Sequence, residues 1–216
     1  MIKYFNNIEK FNLFISKHKY KKMPFNGSEC ICYLSEDGFV YKDFLERNLD
    51  FDKCKHRDRM VICEEDVSTN YIIFPMEIYS INGKVVGSKE NYFPLDLFHG
   101  NYQVDFLKEI DYDMLIDAYY RLLLDVKKIS ELGIRMNDVD FNILFNNSDL
   151  CIVDTYHYFK YGSDCEDYNI NLISNAVKRQ LEFGLTLSHE RIDEFSEVCK
   201  LDVEDYIKVY KIKYSN

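Results

Sequence analysis

Apolar and polar residues in the first half of the chain alternate in short runs, a pattern that predicts β-strands joined by tight turns. Residues 26–34 and 39–44 form one pair of runs around a polar turn, and residues 71–79 and 84–87 form another. An Asn-Gly dipeptide separates the second pair, and it is a strong hairpin signal because both residues tolerate positive φ. This half is therefore predicted to fold as a small antiparallel β-sheet.

The period changes to that of helices later in the chain. Residues from about 113 to 132 place apolar side chains on one face, and Gly133 follows at the position where a helix commonly ends. Residues 51–65 show the same helical period over a shorter stretch of chain. Strands first and helices later is the order of an α+β protein. Further helices are predicted at residues 170–183, 188–198 and 203–214.

A set of polar residues lies in the middle of the chain, at the ends of two short apolar runs. Asp138 and Asn142 precede the first run, and Asp154 follows the second. Phosphoryl transfer uses these groups: one carboxylate orients the attacking hydroxyl, while an Asn and a second carboxylate hold Mg²⁺ against the phosphates. The alternative is an ordinary β-hairpin with polar residues at its ends.

Two segments resemble motifs of the protein kinase-like superfamily. The segment from Met136 to Asn142 resembles its catalytic loop, and Ile152-Val153-Asp154-Thr155 resembles the segment with its metal-binding acid. This superfamily includes the aminoglycoside phosphotransferases and many small bacterial kinase-like proteins. The resemblance implies that Asp138 is the catalytic base and that Asn142 and Asp154 are metal ligands. It also implies ATP with Mg²⁺ or Mn²⁺ as cofactors.

The stretch departs from the family pattern in ways that leave two interpretations open. The segment from Asp138 to Asn142 is one residue shorter than the family's, and Met136 replaces its histidine. Without a gap, the position of the base falls on Asn137, which cannot accept a proton at neutral pH. That register predicts a catalytically degenerate module, a pseudokinase that binds nucleotide or protein. Asp140 is an acid where protein kinases carry a phosphate-contacting lysine.

The first pair of predicted strands also resembles the family. Val40-Tyr41-Lys42 is similar to the family's V-A-I-K motif, so the resemblance implies that Lys42 binds the α- and β-phosphates of the nucleotide. The residues before these strands include Gly27 and Ser28, which would belong to the loop over the phosphates. One glycine gives such a loop less backbone freedom than the family's several.

The resemblance further implies an acid that pairs with Lys42 and a hinge that meets the adenine ring. Asp58, on the face of the predicted helix at 51–65, is the candidate acid, with Glu64 or Glu65 as substitutes. An alternative is that Asp58 simply lies at a helix flank. Residues 88–92 are expected to form the hinge because of their position alone.

The implied fold has two lobes with the nucleotide between them. Residues 1–90 would form a β-rich N-terminal lobe and residues 91–216 a reduced helical C-terminal lobe. The implied activity is transfer of the γ-phosphate of ATP to a hydroxyl of a protein or small molecule. The sequence does not identify that acceptor, because specificity depends on surface shape that residue spacing does not report.

Composition excludes some partners. The net charge of −10 and a pI near 5.0 argue against nucleic acid, which requires clustered Lys and Arg. The main basic cluster, residues 17–22, is predicted to be the solvated face of a helix, and the alternative is a surface that contacts a membrane or a partner. Seven cysteines without C-x-x-C spacing predict buried free thiols in a reducing compartment. Because neither a signal peptide nor a long apolar run is present, we expect a cytoplasmic protein that is not inserted in a membrane.

Overall fold

A computed structural model of the chain describes residues 1–17, 21–23, 30–44, 67–94, 97–98, 106–140, 142–183 and 201–214. These residues form an α+β protein with a six-stranded sheet in the N-terminal part and helices in the C-terminal part, so the predicted α+β class is confirmed. The predicted helices at 51–65 and 188–198 lie outside the described residues. The chain divides into two compact units. The sheet unit comprises Met1–Ser68, Ile73–Tyr92 and Thr155–Lys160, and the helical unit comprises Thr69–Ile72, Phe93–Asp154 and Tyr161–Asn216.

The sheet unit contains six strands and one helix. They are β1 (Ile2–Phe5), α1 (Ile8–Ser16), β2 (Lys21–Lys22), β3 (Cys30–Leu34), β4 (Phe39–Phe44), β5 (Glu77–Ile81) and β6 (Lys84–Asn91). The strands form one sheet in the spatial order β1-β5-β6-β4-β3-β2. The pairing of β1 with β5 is parallel and the other pairings are antiparallel, so the predicted antiparallel sheet gains one parallel edge strand.

Both predicted hairpins are present in the sheet unit. Gly38 has a φ of 81° in the turn between β3 and β4, where its amide donates to the carbonyl of Ser35. Asn82 and Gly83 have φ values of 50° and 79° between β5 and β6, which is the backbone of a type I′ turn. The strand bounds differ from the prediction. β5 starts at Glu77, and β6 continues through the residues assigned to a hinge, so residues 88–91 are strand.

The core of the sheet unit lies between α1 and one face of the sheet. It consists of Phe11 and Ile15 from α1 with Tyr41, Tyr79 and Val86 from the central strands. Helix α1 starts where Asn7 accepts a hydrogen bond from the amide of Lys10, as an N-cap residue should.

The basic cluster at residues 17–22 is not one helical face. Lys17 caps the C-terminal end of α1, and Lys21 and Lys22 belong to the short strand β2. All three side chains are exposed. For these described lysines the prediction of one helical face is wrong, because α1 ends at Ser16 and Lys21 and Lys22 are strand residues.

The helical unit contains four described helices and three short strands. They are α2 (Phe106–Glu109), α3 (Tyr112–Glu131), β7 (Ile134–Arg135), β8 (Ile143–Phe145), β9 (Leu150–Ile152), α4 (Glu166–Phe183) and α5 (Val203–Tyr214). Helices α3, α4 and α5 contact one another. Helix α3 begins after its N-cap residue, Asp111, and ends before Gly133, whose φ is 71°. The bounds predicted for α5 are confirmed, whereas α4 begins four residues earlier than predicted.

The segment Thr155–Lys160 belongs to the sheet unit and holds a short 3-10 helix (Thr155–His157) and β10 (Phe159–Lys160). None of the helices in the described ranges is long and apolar enough to cross a membrane.

The described cysteines are free thiols. Cys30, Cys151 and Cys165 are buried and Cys32 is half-buried, so the prediction of buried free thiols is confirmed for the first three.

Candidate functional site

The predicted β-hairpin at the centre of the site is present in the helical unit. Strands β8 and β9 pair in antiparallel register, with Ile143 opposite Ile152 and Phe145 opposite Leu150. Asn146 closes the turn, because its Oδ1 accepts hydrogen bonds from the amides of Ser148 (3.0 Å) and Asp149 (2.7 Å). The open end of the hairpin therefore places the residues before β8 beside those after β9.

Asn142 is the junction at that open end. Its backbone carbonyl accepts a hydrogen bond of 2.9 Å from the amide of Val153, and its own amide donates to the carbonyl of Val139 at 2.9 Å. Its side-chain Nδ2 donates to the carbonyl of Asp138 at 2.6 Å. One residue thus joins the backbone at Asp138 to the backbone immediately before Asp154, and the three predicted site residues belong to one local structure.

Both carboxylate residues of this junction have left-handed backbone conformations. The φ of Asp138 is 54° and that of Asp154 is 66°. Asp and Asn adopt this region more readily than other non-glycine residues, but it still costs free energy, and such residues concentrate at functional sites. Asp138 is exposed to solvent and Asp154 is half-buried. The geometry therefore gives an accessible acid and a partly shielded one.

The groups at the junction fit a divalent metal ion such as Mg²⁺. Mg²⁺ prefers oxygen ligands and is commonly held by one or two protein groups together with phosphates and water. The Nδ2 of Asn142 donates to the carbonyl of Asp138, so the amide oxygen of Asn142 and the carboxylate of Asp154 are the atoms that would hold such an ion. No cluster of three or more His, Cys, Asp or Glu side chains within the described ranges could hold a metal ion. A metal bound mainly by phosphates does not need such a cluster.

Asp140 fixes the loop between Asp138 and Asn142 to helix α4. Its Oδ1 accepts hydrogen bonds from Nε of Arg179, at 2.9 Å, and from Nη2 of the same residue. Its backbone carbonyl accepts from Nε2 of Gln180. Sequence reasoning identified Asp140 as an acid in place of a lysine and missed Arg179, which brings a cation to this loop from a distant part of the chain.

Asn169 of α4 holds the segment that leads into the loop. Its side chain is buried, its Oδ1 accepts from the amide of Met136 at 2.8 Å, and its Nδ2 donates to the carbonyl of Ile134 at 2.9 Å. A further bond of 2.9 Å runs from Nδ2 to Oγ of Ser130 on α3. Without Asn169, the buried amide of Met136 and the buried carbonyl of Ile134 would lose these hydrogen bonds, which is costly inside a protein. Asn169 therefore holds the backbone that precedes Asp138 in place.

Asp125 of α3 supports the other side of the hairpin. Its buried carboxylate accepts hydrogen bonds from the amides of Asn70 (2.6 Å) and Tyr71 (2.7 Å) and lies 3.1 Å from Nζ of Lys128. The carbonyl of Tyr71 in turn accepts from the amide of Ile152 at 2.8 Å. A signal for Asp125 and for Asn169 is present in the sequence: each is a polar residue on the apolar face of a helix.

Lys42, in the sheet unit, is buried on β4 and paired with an acid on the adjacent strand. Its Nζ lies 2.8 Å from Oε2 of Glu90 on β6, and Oε1 of Glu90 accepts from Oγ of Ser88 at 2.9 Å. Nζ also donates to the hydroxyl of Tyr156 at 3.5 Å and lies 4.9 Å from the centre of its ring. Lys42 is therefore a buried, paired side chain, although a lysine on a strand could also be solvated.

The sequence-based assignments around Lys42 have different outcomes. Asp58, Gly27 and Ser28, with the substitutes Glu64 and Glu65, lie outside the described residues. Glu90 was missed, because residues 88–92 were interpreted as a hinge. That interpretation is wrong, since Glu90 is a strand residue whose side chain is 3% exposed in the pair with Lys42.

Burial also raises the pKa of Asp43, the residue next to Lys42. Asp43 is a strand residue, and its partial burial raises its pKa from 3.8 to about 6. Burial raises the pKa of the Tyr33 hydroxyl, and the nearby Asp43 charge adds to the effect. The pKa of the Asp43 carboxyl is therefore closer to neutral pH than the pKa of an exposed aspartate is.

Comparisons of the sequence with models of known protein families and with curated proteins found no match.

Proposed function

We propose that this protein is an ATP- and Mg²⁺-dependent phosphotransferase that transfers the γ-phosphate to a hydroxyl of a protein or small molecule. The single observation that carries the proposal is the junction at Asn142, where one side chain and one backbone carbonyl join the backbone of Asp138 to that of Val153. A carboxylate base, an amide and a second carboxylate in this connection are the groups that phosphoryl transfer requires.

Each residue of the junction has a distinct role in the proposal. Asp138, the exposed carboxylate, accepts the proton of the acceptor hydroxyl as that oxygen attacks, a contribution of about 10² to 10⁴ in rate for a general base. Asn142 and Asp154 bind the metal through oxygen atoms. When bound, Mg²⁺ neutralises charge that develops on the phosphate oxygens. The hydrogen bond that Asn169 accepts from Met136 and the one that Arg179 donates to Asp140 keep the loop in place before substrate arrives.

The proposal extends to Lys42 and to the fold. We assign Lys42 to the α- and β-phosphates because it is a buried cation held by Glu90 on a central strand. We also propose that the sheet unit and the helical unit are the N-terminal lobe and the reduced C-terminal lobe of a kinase-like fold. The order of a six-stranded sheet followed by helices supports this.

A second candidate function is a non-catalytic module that binds nucleotide or protein. It is favoured by the loop from Asp138 to Asn142, which is one residue shorter than the pattern it resembles. The two candidates differ in one property, since only the first transfers phosphate.

Transfer of label from γ-labelled ATP tests the proposal. The purified protein is incubated with ATP, Mg²⁺ or Mn²⁺ and a cell extract, alongside the Asp138→Asn, Asp154→Asn and Asp164→Asn variants. Asp164 is the matched control, because it is an exposed aspartate with a φ of 64° that lies outside the junction. Asn keeps the tolerance for this backbone conformation and removes the charge.

We expect wild type and Asp164→Asn to label an acceptor, and the other two variants to lose at least a hundredfold in rate. Nucleotide binding without any transfer would favour the second candidate. Transfer that survives unchanged in both junction variants would contradict the assigned roles.

A further inference from the structure

Arg135 has an arrangement that the proposed chemistry at the junction does not explain. Its guanidinium carbon lies 3.6 Å from the centre of the Tyr168 ring and 4.7 Å from the centre of the Tyr161 ring. Both distances are within the range of cation–π attraction. Arg135 is half-buried and Tyr161 is 61% exposed, so the cluster lies at the surface of the helical unit.

The guanidinium is held by rings and not by acids. Within the described part of the chain, no hydrogen bond or ion pair engages the N–H groups of Arg135, whereas Arg121 and Arg179 each contact an aspartate. Arginine carries five N–H donors in a rigid plane, a geometry that matches the paired oxygens of a carboxylate or phosphate. In a chain with a net charge of −10, a cation without an acidic partner is a candidate for binding an external anion.

The backbone around Arg135 is fixed by buried contacts. Asn169 binds both neighbours of Arg135 in the chain, through the carbonyl of Ile134 and the amide of Met136. Tyr161 is fixed in turn, because its amide donates to the carbonyl of Gly133 at 2.8 Å. A cluster that is already ordered loses less conformational entropy when it binds a ligand, so its affinity is higher than that of a free surface arginine.

Arg135 also lies close to the proposed catalytic base along the chain. Asp138 is the third residue after Arg135, which limits the distance between their Cα atoms to about 11 Å. This length is comparable to that of a small metabolite or of two to three residues of an extended peptide. A group bound at Arg135 could therefore belong to the molecule whose hydroxyl reacts at Asp138.

We propose that Arg135, with Tyr161 and Tyr168, is a binding site for an oxyanion, a carboxylate or phosphate, carried by the phosphate acceptor. This inference rests on the proposed function for the identity of the acceptor, and it narrows the substrate class to hydroxyl compounds that bear an anionic group. Two parallel N–H···O bonds from the guanidinium would hold the oxyanion, and the rings would keep the guanidinium plane in place.

Anion binding can be measured without any acceptor or nucleotide. The Nε–Hε signals of the arginines are recorded by NMR while inorganic phosphate, acetate or sodium chloride is added at equal ionic strength. The signal of Arg135 is assigned by its absence in Arg135→Gln. Lys213→Gln serves as the matched control, because Lys213 is also a cation beside a tyrosine ring, 5.6 Å from the centre of Tyr214.

We expect phosphate, acetate or both to shift the Arg135 signal to saturation, and sodium chloride to leave it unchanged. The Lys213→Gln variant should retain the response. The anion that binds more tightly identifies the class of group. A signal that responds to none of the three, or equally to all three, would overturn the inference.

The second part of the test measures the KM values of Arg135 variants for the acceptor and for ATP. With a labelled acceptor, Arg135→Gln should raise KM for the acceptor at least tenfold and leave KM for ATP unchanged. Arg135→Lys, which keeps the charge and the apolar stem but lacks the planar pair of donors, should recover only part of the loss. The urea-unfolding midpoints of both variants show whether the fold is intact.

The two proposals can fail separately. Saturable anion binding at Arg135 in a protein that transfers no phosphate supports the oxyanion site and contradicts the proposed function. Phosphate transfer with an unchanged acceptor KM in a folded Arg135→Gln protein contradicts the oxyanion site and leaves the proposed function supported.

Discussion

The carbonyl of Asn142 accepts a hydrogen bond of 2.9 Å from the amide of Val153. This bond adds one contact beyond the last paired residues of the hairpin, Ile143 and Ile152. The β8–β9 pairing therefore helps to set the positions of Asn142 and Asp154, in addition to the hydrogen bonds that Asn142 makes to the loop that contains Asp138. A change that shifts the hairpin register would separate the proposed metal ligands even if both residues were retained.

Gly133 is expected to be intolerant of a side chain. Its φ is 71°, and a Cβ atom would lie 2.7 Å from the carbonyl oxygen of Gly162. Gly133→Ala should therefore lower the free energy of unfolding by about 2 kcal/mol or more, because backbone strain and steric overlap add. Gly38→Ala is the matched control, since Gly38 has a similar φ of 81° with open space around it, and it should cost only about 1 kcal/mol. Equal losses in urea unfolding would show that the approach of Gly162 is unimportant.

Local signals predicted much of the fold. The turns at Gly38 and at Asn82-Gly83 were predicted because positive φ requires these residue types, and they fixed two hairpins. Helix α5 was predicted with its observed bounds because its apolar residues recur at the helical period. Strand β1 was missed, since a four-residue edge strand with mostly exposed side chains has no apolar alternation.

Breaking the buried ion pair of Lys42 and Glu90 should destabilise the sheet unit. Lys42→Met would leave the Glu90 carboxylate buried without its lysine, a change that typically costs about 3–5 kcal/mol. Lys42→Met combined with Glu90→Leu should be less destabilised than the sum of the two single variants, because the double change removes both charges. The measurement is a double-mutant cycle of urea-unfolding midpoints.

The control for this cycle is an exposed pair of the helical unit. Lys208 lies 2.5 Å from Glu204 on the surface of α5, and Lys208→Met should leave the midpoint almost unchanged because solvent screens the pair. If Lys42→Met were as harmless as Lys208→Met, the buried pair would not stabilise the fold.

Long-range contacts explain what sequence reasoning could not reach. Glu90 meets Lys42 only because β4 and β6 pair in a register that no local pattern encodes. Arg179 meets Asp140 across 39 residues of chain in the same way. The three residues of the junction were assigned by their resemblance to a family motif, and they belong to one local structure because they lie at the open end of one hairpin.

Asp43 is expected to make stability depend on pH in the range between its two pKa values. Its ordinary pKa is 3.8 and its pKa in the folded protein is about 6, so the folded state binds more protons than the unfolded state between these values. The contribution of Asp43 to the free energy of unfolding therefore falls as pH rises from about 4 to about 6 and stays constant above.

Asp43→Asn removes this titration. Relative to wild type, the variant should gain about 2 kcal/mol in unfolding free energy as pH rises from 4 to 7, after allowance for screening by solvent. The difference between the two proteins is measured by urea unfolding at several pH values. A difference that does not change with pH would contradict the raised pKa.

The central claim is that Asn142 and Asp154 hold a divalent metal that carries the nucleotide, and calorimetric titration of ATP with and without Mg²⁺ tests it most directly. In wild type and Asp164→Asn, Mg²⁺ should raise the affinity for ATP at least tenfold. In Asp154→Asn this gain should disappear while the protein remains folded. An Asp154→Asn protein that binds ATP with the same Mg²⁺ dependence as wild type would contradict the account.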